Sequence, residues 1–407
     1  MIEFDRRLRE IRGTAAEAGA DLRERALAVD ADPHSMEQHF DSPGFHLIRT
    51  ITTPVEHRPS ADRGTAGFTP GRKSLETAVS VVELARGDAA MLLACPGPGL
   101  AGVIVDLLGD DAQRERFYGR LADGRTWSFF AMTEAERGND ATAMETRVDS
   151  RDDGFLLTGR KRYIGNAARG GIGVVFARTG RSPMSIRALL VEPEAGTGAA
   201  GGTGTGAGTG TGTGAGTGAG AAGWHRTPLE MVGLRGAYLS EIAMENVPVA
   251  EDAFLGNHLP VTRRGIWGAV KTFNEMRVQI AALAVGTSLA MAEYVRDHSA
   301  GTSQPAGLDL VLARAEAARH LVYDAAACVD RDPERSYPSS VAKLAANQLA
   351  MDTARWSARA LGPAGHLTHP LLEKWARDVC GFEFMEGTAN IQRLHVEKGY
   401  RTGDADA

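Results

Sequence analysis

The hydrophobic period changes twice along this chain of 407 residues, and each change limits what the next stretch can fold into. Through residue 125 apolar positions recur at helical spacing. Leu75, Val79, Val82 and Leu84 share one face, and Val103, Leu107 and Leu108 share another. Pro96, Gly97, Pro98 and Gly99 interrupt the pattern, because proline lacks a donor and glycine turns freely. Between 126 and 255 the texture becomes short β-branched and aromatic runs, SFFAMTE, GFLLTGRKRYIG, GIGVVFART, SIRALLVEP and LSEIAMENVPV, punctuated by Gly and Asp. No helical pattern of about 10 to 15 residues separates these strands, so an antiparallel sheet or small barrel is expected in preference to a doubly wound parallel sheet. Helical spacing returns after 256 in three segments: Val278, Ala281, Val285, Leu289; Val311, Ala315, Ala318, Val322, Ala325, Val329; and Val341, Leu344, Gln348, Met351. The expected class is α+β and multidomain, with an N-terminal helical domain over 1–125, a central antiparallel β domain over 126–255 and a C-terminal four-helix bundle over 256–407.

One segment follows neither period. Residues 194–223 are almost entirely Gly, Thr and Ala, with no side chain able to bury area, and are expected to form a disordered insertion in the β domain. The tract ends in GAGAAG, Gly218 to Gly223, a formal G-x-G-x-x-G match. A repetitive glycine tract makes such matches by chance, and Trp224-His225-Arg226-Thr227-Pro228 follows where a dinucleotide-binding turn would open a helix.

Charge and cysteine content exclude other classes. The formal charge of -6 arises from interspersed acids and bases, without the basic stripe that nucleic acid requires. Cys95, Cys328 and Cys380 lie far apart, with no C-x-x-C pair and no histidine spacing suited to zinc, so no metal site is expected and a reducing cytoplasm fits. The opening MIEFDRRLREIRG has no apolar signal core, and no uninterrupted run of about 18 apolar residues occurs, so neither export nor membrane insertion is expected.

FFAMTEAERGND from Phe129, GRKRYIGN from Gly159 and the stretch from Gly362 to Tyr400, in this order and spacing, resemble the acyl-CoA dehydrogenase family. FFAMTEAERGND from Phe129 is similar to the family's aromatic-x-x-T-E-x-x-x-G-S-D segment. The resemblance implies that Phe130, Met132 and Thr133 line the isoalloxazine of FAD, that Gly138 and Asp140 shape the turn, and that Asn139, in place of the usual Ser, faces cofactor and substrate. GRKRYIGN from Gly159 is similar to G-x-K-x-W-I-T-N. It puts Tyr163 and Ile164 at the flavin, while Gly165 stands where a Thr hydroxyl is usual. The neighbouring Arg160, Lys161 and Arg162 read as a solvated strand end. The sequence from Met231 to Gly256 resembles the end of the family's β domain.

The third stretch, from Gly362 to Tyr400, contains the E-G-T that supplies the base in this family, at Glu386, Gly387 and Thr388. The residues agree with that role. Phe384 and Met385 favour a desolvated carboxylate, and Thr388 stands where it can cap the helix carrying Ile391, Leu394 and His395. Some relatives place the base before an Arg in a segment like FNEMRVQIAALAVG; here that position is Met276, which accepts no proton. Asn274 and Arg277 match positions that contact the acyl-thioester carrier, and Arg277 reads equally as a structural ion-pair partner. Gly387 is assigned to substrate, and Gly362, Thr388 and Asn390 to cofactor. The family's R-x-x-F-G is missing from HSAGTSQPAGLDL, and Arg359 is the cation available to the FAD diphosphate instead.

The resemblance implies FAD-dependent α,β-dehydrogenation of an acyl-CoA or acyl carrier protein thioester. Glu386 takes the α-proton, a hydride goes to flavin N5, and an acceptor such as an electron-transfer flavoprotein takes the electrons onward. It also implies a homotetramer or homodimer. Two alternatives stay open: a flavin-dependent oxidase or monooxygenase on the same fold, and a carrier-binding homologue that has lost catalysis.

Overall fold

The structure is a computed structural model and describes residues 2–401 apart from 66, 153, 194–222, 300–303, 336 and 363. The Gly/Thr/Ala insertion expected over 194–223 therefore lies outside the described residues except for Gly223. The chain packs as two compact units. One comprises Met1–Leu100, Glu230–Ala237 and Ala269–Ala407, and the other Ala101–Leu229 and Tyr238–Gly268.

Five helices precede the sheet: α1 (Arg6–Ala31), α2 (Pro43–Thr52), α3 (Lys73–Ala94), α4 (Gly99–Leu108) and α5 (Asp111–Leu121). Their starts follow from the residues there. Asp5 accepts from Leu8 N–H at α1, Ser42 precedes Pro43 at α2, and Asp110 with Gln113 forms a reciprocal capping box at α5. The expected break at Pro96 to Gly99 separates α3 from α4. In α3 the face of Leu75, Val79, Val82 and Leu84 is buried as expected. Helices α1 and α3 approach so closely at Gly19 and Gly87 that a Cβ on Gly87 would lie 2.0 Å from the Gly19 oxygen.

The sheet lies in the second unit and has seven strands: β1 (Trp127–Ala131), β2 (Arg147–Arg151), β3 (Gly154–Ile164), β4 (Gly170–Arg178), β5 (Ile186–Val191), β6 (Trp224–Pro228) and β7 (Ser240–Val249). All five runs read as strands from the sequence fall on strands. The hairpin-like pairings β2–β3, β3–β7, β4–β5 and β6–β7 are antiparallel, but β1 pairs with β4 in parallel, as does β2 at Arg147 and Arg178. The sheet is thus mixed, where an antiparallel one was expected. The connection from β1 to β4 contains β2 and β3, which makes it long enough for a crossover, and alternation within a strand carries no information about its neighbour's direction. Trp224 opens β6, where the rejected dinucleotide reading would have needed a helix.

The C-terminal helices are α6 (Ile266–His298), α7 (Leu308–Arg331), α8 (Tyr337–Ala360), the short α9 (Gly365–Thr368), α10 (Pro370–Phe382) and α11 (Ala389–Arg401). In the first unit α7 packs on α8, and α8 packs on α10 and α11. The expected stripes of α6 and α7 are buried. In α8 they are displaced. Ala342, Ala346, Leu349, Ala350 and Thr353 are buried, Val341, Leu344 and Met351 only partly, and Gln348 is exposed. Small residues let the neighbouring helices approach closely on that side, an effect that hydrophobicity alone does not register. A window within the segment of α6 has a mean hydropathy of 1.4 and could cross a membrane by length and composition, but 89% of it is buried inside the protein, as in a core helix.

Candidate active site

In the second unit the end of β1 is fixed by a buried charge. Glu134 accepts from Thr146 N–H at 2.9 Å, Thr146 Oγ1 at 2.6 Å, Glu145 N–H at 2.7 Å and Lys161 Nζ at 2.9 Å. Lys161 also donates to the Met132 oxygen at 3.0 Å and is 0% exposed, which corrects the solvated reading for Lys161, whereas Arg160 beside it is exposed. Burial opposes ionisation of both groups. For Glu134, Lys161 and the three hydrogen bonds from Thr146 and Glu145 outweigh it and hold the carboxyl below its ordinary range. For Lys161 burial outweighs Glu134 and pushes the ammonium down to about 8. The two directions differ because the carboxylate has four donors, whereas the fully enclosed ammonium has one charged partner.

This anchor holds Met132 and Thr133, and the Thr133 oxygen accepts from Arg162 N–H at 3.0 Å. Tyr163 follows with φ 62, a left-handed conformation that costs a bulky L-residue about 1–2 kcal/mol, and its ring is 51% exposed. Ile164 is buried, and Phe130 packs its ring 5.1 Å from that of Phe176. Gly138 and Asn139 are exposed in the following turn, where Thr142 Oγ1 donates to Asp140. An exposed aromatic on a strained, anchored backbone can offer a flat face to a ring system.

In the first unit the structure brings Asn274, Arg277, Glu386 and Gly387 together. Glu386 has φ 53 and Gly387 φ 95. Two carbonyl oxygens receive four donors: Glu386 O from Gln392 Nε2 at 3.0 Å and Arg277 Nε at 3.3 Å, and Gly387 O from Lys343 Nζ at 2.6 Å and Gln392 Nε2 at 2.9 Å. Arg277 Nη1 donates to Asn274 Oδ1 at 2.8 Å. The Glu386 N–H has no hydrogen-bond partner among the described residues. Although Glu386 keeps partial surface access, burial pushes its carboxyl up to about 7, against the lowering effect of Arg277 and Lys343. Phe384, expected to help desolvate it, is 74% exposed, and the side chains that reach the loop are Arg277 of α6, Lys343 of α8 and Gln392 of α11.

Thr388 is not the cap that its position suggested. Ala389 N–H, at the start of α11, donates to Glu383 Oε1 at 2.6 Å, and the buried Thr388 Oγ1 has no partner among the described residues. Asn390 is exposed and accepts from Arg393. Arg359 is also exposed, on a cleft of about 250 Å³ lined by Gly307, Arg314, Asp352, Arg355 and Trp356 among others. Gly362 has φ 83 with open space beyond it, so its backbone alone favours glycine there. Sequence reasoning missed Lys343, Glu383 and Gln392. None of the three left a local signal, since Glu383 lies six residues before the α11 start whose first N–H it accepts.

Two family models cover much of the chain: the acyl-CoA dehydrogenase middle domain over residues 129–215 and the acyl-CoA dehydrogenase C-terminal domain over 263–400. The chain belongs to the acyl-CoA dehydrogenase family. A protein of Mycobacterium tuberculosis named "Probable acyl-CoA dehydrogenase FadE25" is 29% identical over 394 residues, 93% of this chain and 92% of its own length. Among solved structures, a glutaryl-coenzyme A dehydrogenase in complex with glutaryl-CoA aligns with a TM-score of 0.81 at 21% identity, over 99% of this chain and 97% of its own. The prolyl acyl carrier protein oxidase AnaB aligns at 0.76 and 20%, over 97% and 99%. These two likenesses concern the fold.

The family is one of FAD-dependent oxidoreductases, and the residues present fit that cofactor. A flavin needs a flat apolar face and hydrogen-bond donors. Tyr163, in the second unit, offers an exposed aromatic ring, and Thr388, in the first, a buried hydroxyl with no partner among the described residues.

Proposed function

We propose that this protein catalyses α,β-dehydrogenation of an acyl thioester, with Glu386 taking the α-proton. The observation that carries the reading is the state of Glu386: a carboxyl held near neutrality on a backbone pinned by four donors, beside its own unpartnered N–H. The α-hydrogen of a thioester is weakly acidic, so its removal needs a base together with a donor to the oxygen where charge develops. Glu386 offers the carboxylate for the first and its N–H for the second. FAD, when bound, supplies the acceptor for the β-hydrogen, which leaves with its electron pair. Phe130, Met132, Thr133, Tyr163, Ile164, Gly165 and Thr388 would hold the ring system. Gly138 and Asn139 would shape the turn beside it, and Asn139, Asn274, Arg277 and Gly387 would bind the substrate.

The thioester carrier is coenzyme A or the phosphopantetheine of an acyl carrier protein, which present the same reacting atoms. The purified flavoprotein is tested anaerobically with a panel of both kinds of thioester. Loss of the yellow absorbance with at least one member is expected, and a panel that leaves the spectrum unchanged would refute dehydrogenation. Substrate-dependent hydrogen peroxide without an added acceptor would shift the reading to an oxidase, the activity named for AnaB. Without it, an electron-transferring flavoprotein is the acceptor to supply.

Arg359, with Arg314 and Arg355 on the same cleft, is the proposed partner of the FAD diphosphate in a homo-oligomer. Arg359→Ala is expected to lose FAD during gel filtration. A variant that elutes fully flavinated removes that assignment.

A further inference from the structure

We propose that Lys343 is a positioning residue for the base, holding the Glu386–Gly387 turn through the Gly387 carbonyl and keeping a positive charge beside the Glu386 carboxyl; this rests on the reading of Glu386 as base. Lys343 is 0% exposed on α8, and its ammonium reaches only backbone oxygens, Gly387 O at 2.6 Å and Glu383 O at 3.4 Å. No carboxylate oxygen lies within ion-pair distance of it among the described residues. A buried ammonium served by two carbonyls is a poor stabilising device, since an apolar side chain of the same length would fill the space without desolvating a charge. Its placement makes sense through what it holds. Left-handed backbone at Glu386 is intrinsically unfavourable, and it persists because the two following carbonyls are both turned onto buried donors. Releasing the Gly387 carbonyl frees that turn to relax, which would re-aim the Glu386 carboxyl and its N–H together.

The charges that bear on this group come from every element around it. Glu386 faces Arg277 from α6 and Lys343 from α8, and Lys343 faces Glu383, Glu386 and Arg277. His395 on α11 faces Arg277 and Lys398 and is pushed down to about 4, first by burial, so it stays neutral through the working range. Burial pushes Lys343 down to about 8, so it carries its proton at neutral pH. Removing that cation destabilises the neighbouring carboxylate, so the Glu386 carboxyl must titrate at higher pH without it.

Three variants separate position from charge. Lys343→Met removes the donor and the charge, and kcat is expected to fall by about 10²-fold with a smaller change in KM. Lys343→Gln removes the charge and leaves an amide donor on a shorter side chain. Lys343→Arg keeps the charge. In Met and Gln variants the acid limb of kcat moves to higher pH, and in Arg it returns towards the wild-type position. Infrared titration of the holoenzyme, with the carboxyl band identified by its loss in Glu386→Gln, reads the same shift without turnover. If Lys343→Met does not fold, Lys343→Gln decides the question. An unmoved limb and an unmoved band in Lys343→Gln overturn the role in either case. Glu386→Gln distinguishes the two readings. If it turns over normally the base assignment fails, whereas if it is inactive and the Lys343 variants titrate like wild type, only the role of Lys343 falls.

Discussion

Glu386→Gln is expected to keep its yellow cofactor and lose reduction by acyl thioesters, with kcat lower by about 10²–10⁴-fold. The amide has the carboxylate's shape, and the four donors that fix the turn reach main-chain oxygens, not the side chain. The backbone geometry and the free N–H should therefore survive while the proton acceptor is gone. In the wild type, a carboxyl pushed up to about 7 is ionised only as pH rises through that value, so activity should climb across neutrality on its acid side. The stability consequence has the opposite sign. With a folded pKa above its unfolded value, the native protein retains a proton that the unfolded chain releases, so this group disfavours folding increasingly as pH rises from the ordinary carboxyl range to about 7. The glutamine has no such penalty, and its thermal midpoint at neutral pH should equal or exceed that of the wild type. Near-wild-type bleaching by thioester, measured anaerobically in a stopped-flow absorbance experiment, would exclude Glu386 as the base.

The parts of this site that sequence disclosed are those whose residue identity and neighbours carry the chemistry. Glu386, Gly387 and Thr388 stand in one tripeptide before a helix, and Tyr163 lies near the end of β3, a strand whose β-branched and aromatic residues made it visible. Sequence did not disclose the supports. Lys161 lies between two arginines, so charge alone suggested solvent, whereas the partner that holds it, Glu134, is on another segment. Lys343 sits inside a helix whose hydrophobic residues suggested a different buried face, and the small residues around it reveal that face only once α10 and α11 are packed there. Strand direction was illegible for a related reason: β1 and β4 pair over a separation that no local period records. Local pattern thus located the elements and the proposed base, and tertiary packing supplied the buried partners around its loop.

Those buried partners also explain why the largest loss of stability should come from a residue remote from the reacting carboxylate in function. Lys374→Met is expected to destabilise the protein by about 3–5 kcal/mol, the range seen when one member of a buried charged group is removed. Lys374 donates at 2.6 Å to both Asp88 and Asp378, and all three are essentially inaccessible. The carboxylates have further duties. Asp88 breaks α3 with a non-helical backbone, caps its second half at Met91 N–H and accepts from Trp375 Nε1, while Asp378 accepts from Leu234 N–H at 2.6 Å. The cation therefore joins α3, α10 and the 230–237 segment of the first unit. Despite the desolvation, the two carboxylates push Lys374 up to about 12, so its contribution is complete at neutral pH and is lost only as pH rises through that value. In the variant, two buried carboxylates face each other without a cation and must take up a proton to persist. Stability should then recover as pH falls, the reverse of ordinary acid denaturation. Adding Asp88→Asn, which removes one charge but keeps an acceptor oxygen for only one of Met91 N–H and Trp375 Nε1, should restore part of the loss. Thermal midpoints of the wild type, both single variants and the double variant, compared at neutral and mildly acidic pH, give the coupling directly. Additive losses, or a Lys374→Met midpoint within error of the wild type, would show that the three charges do not act as a unit.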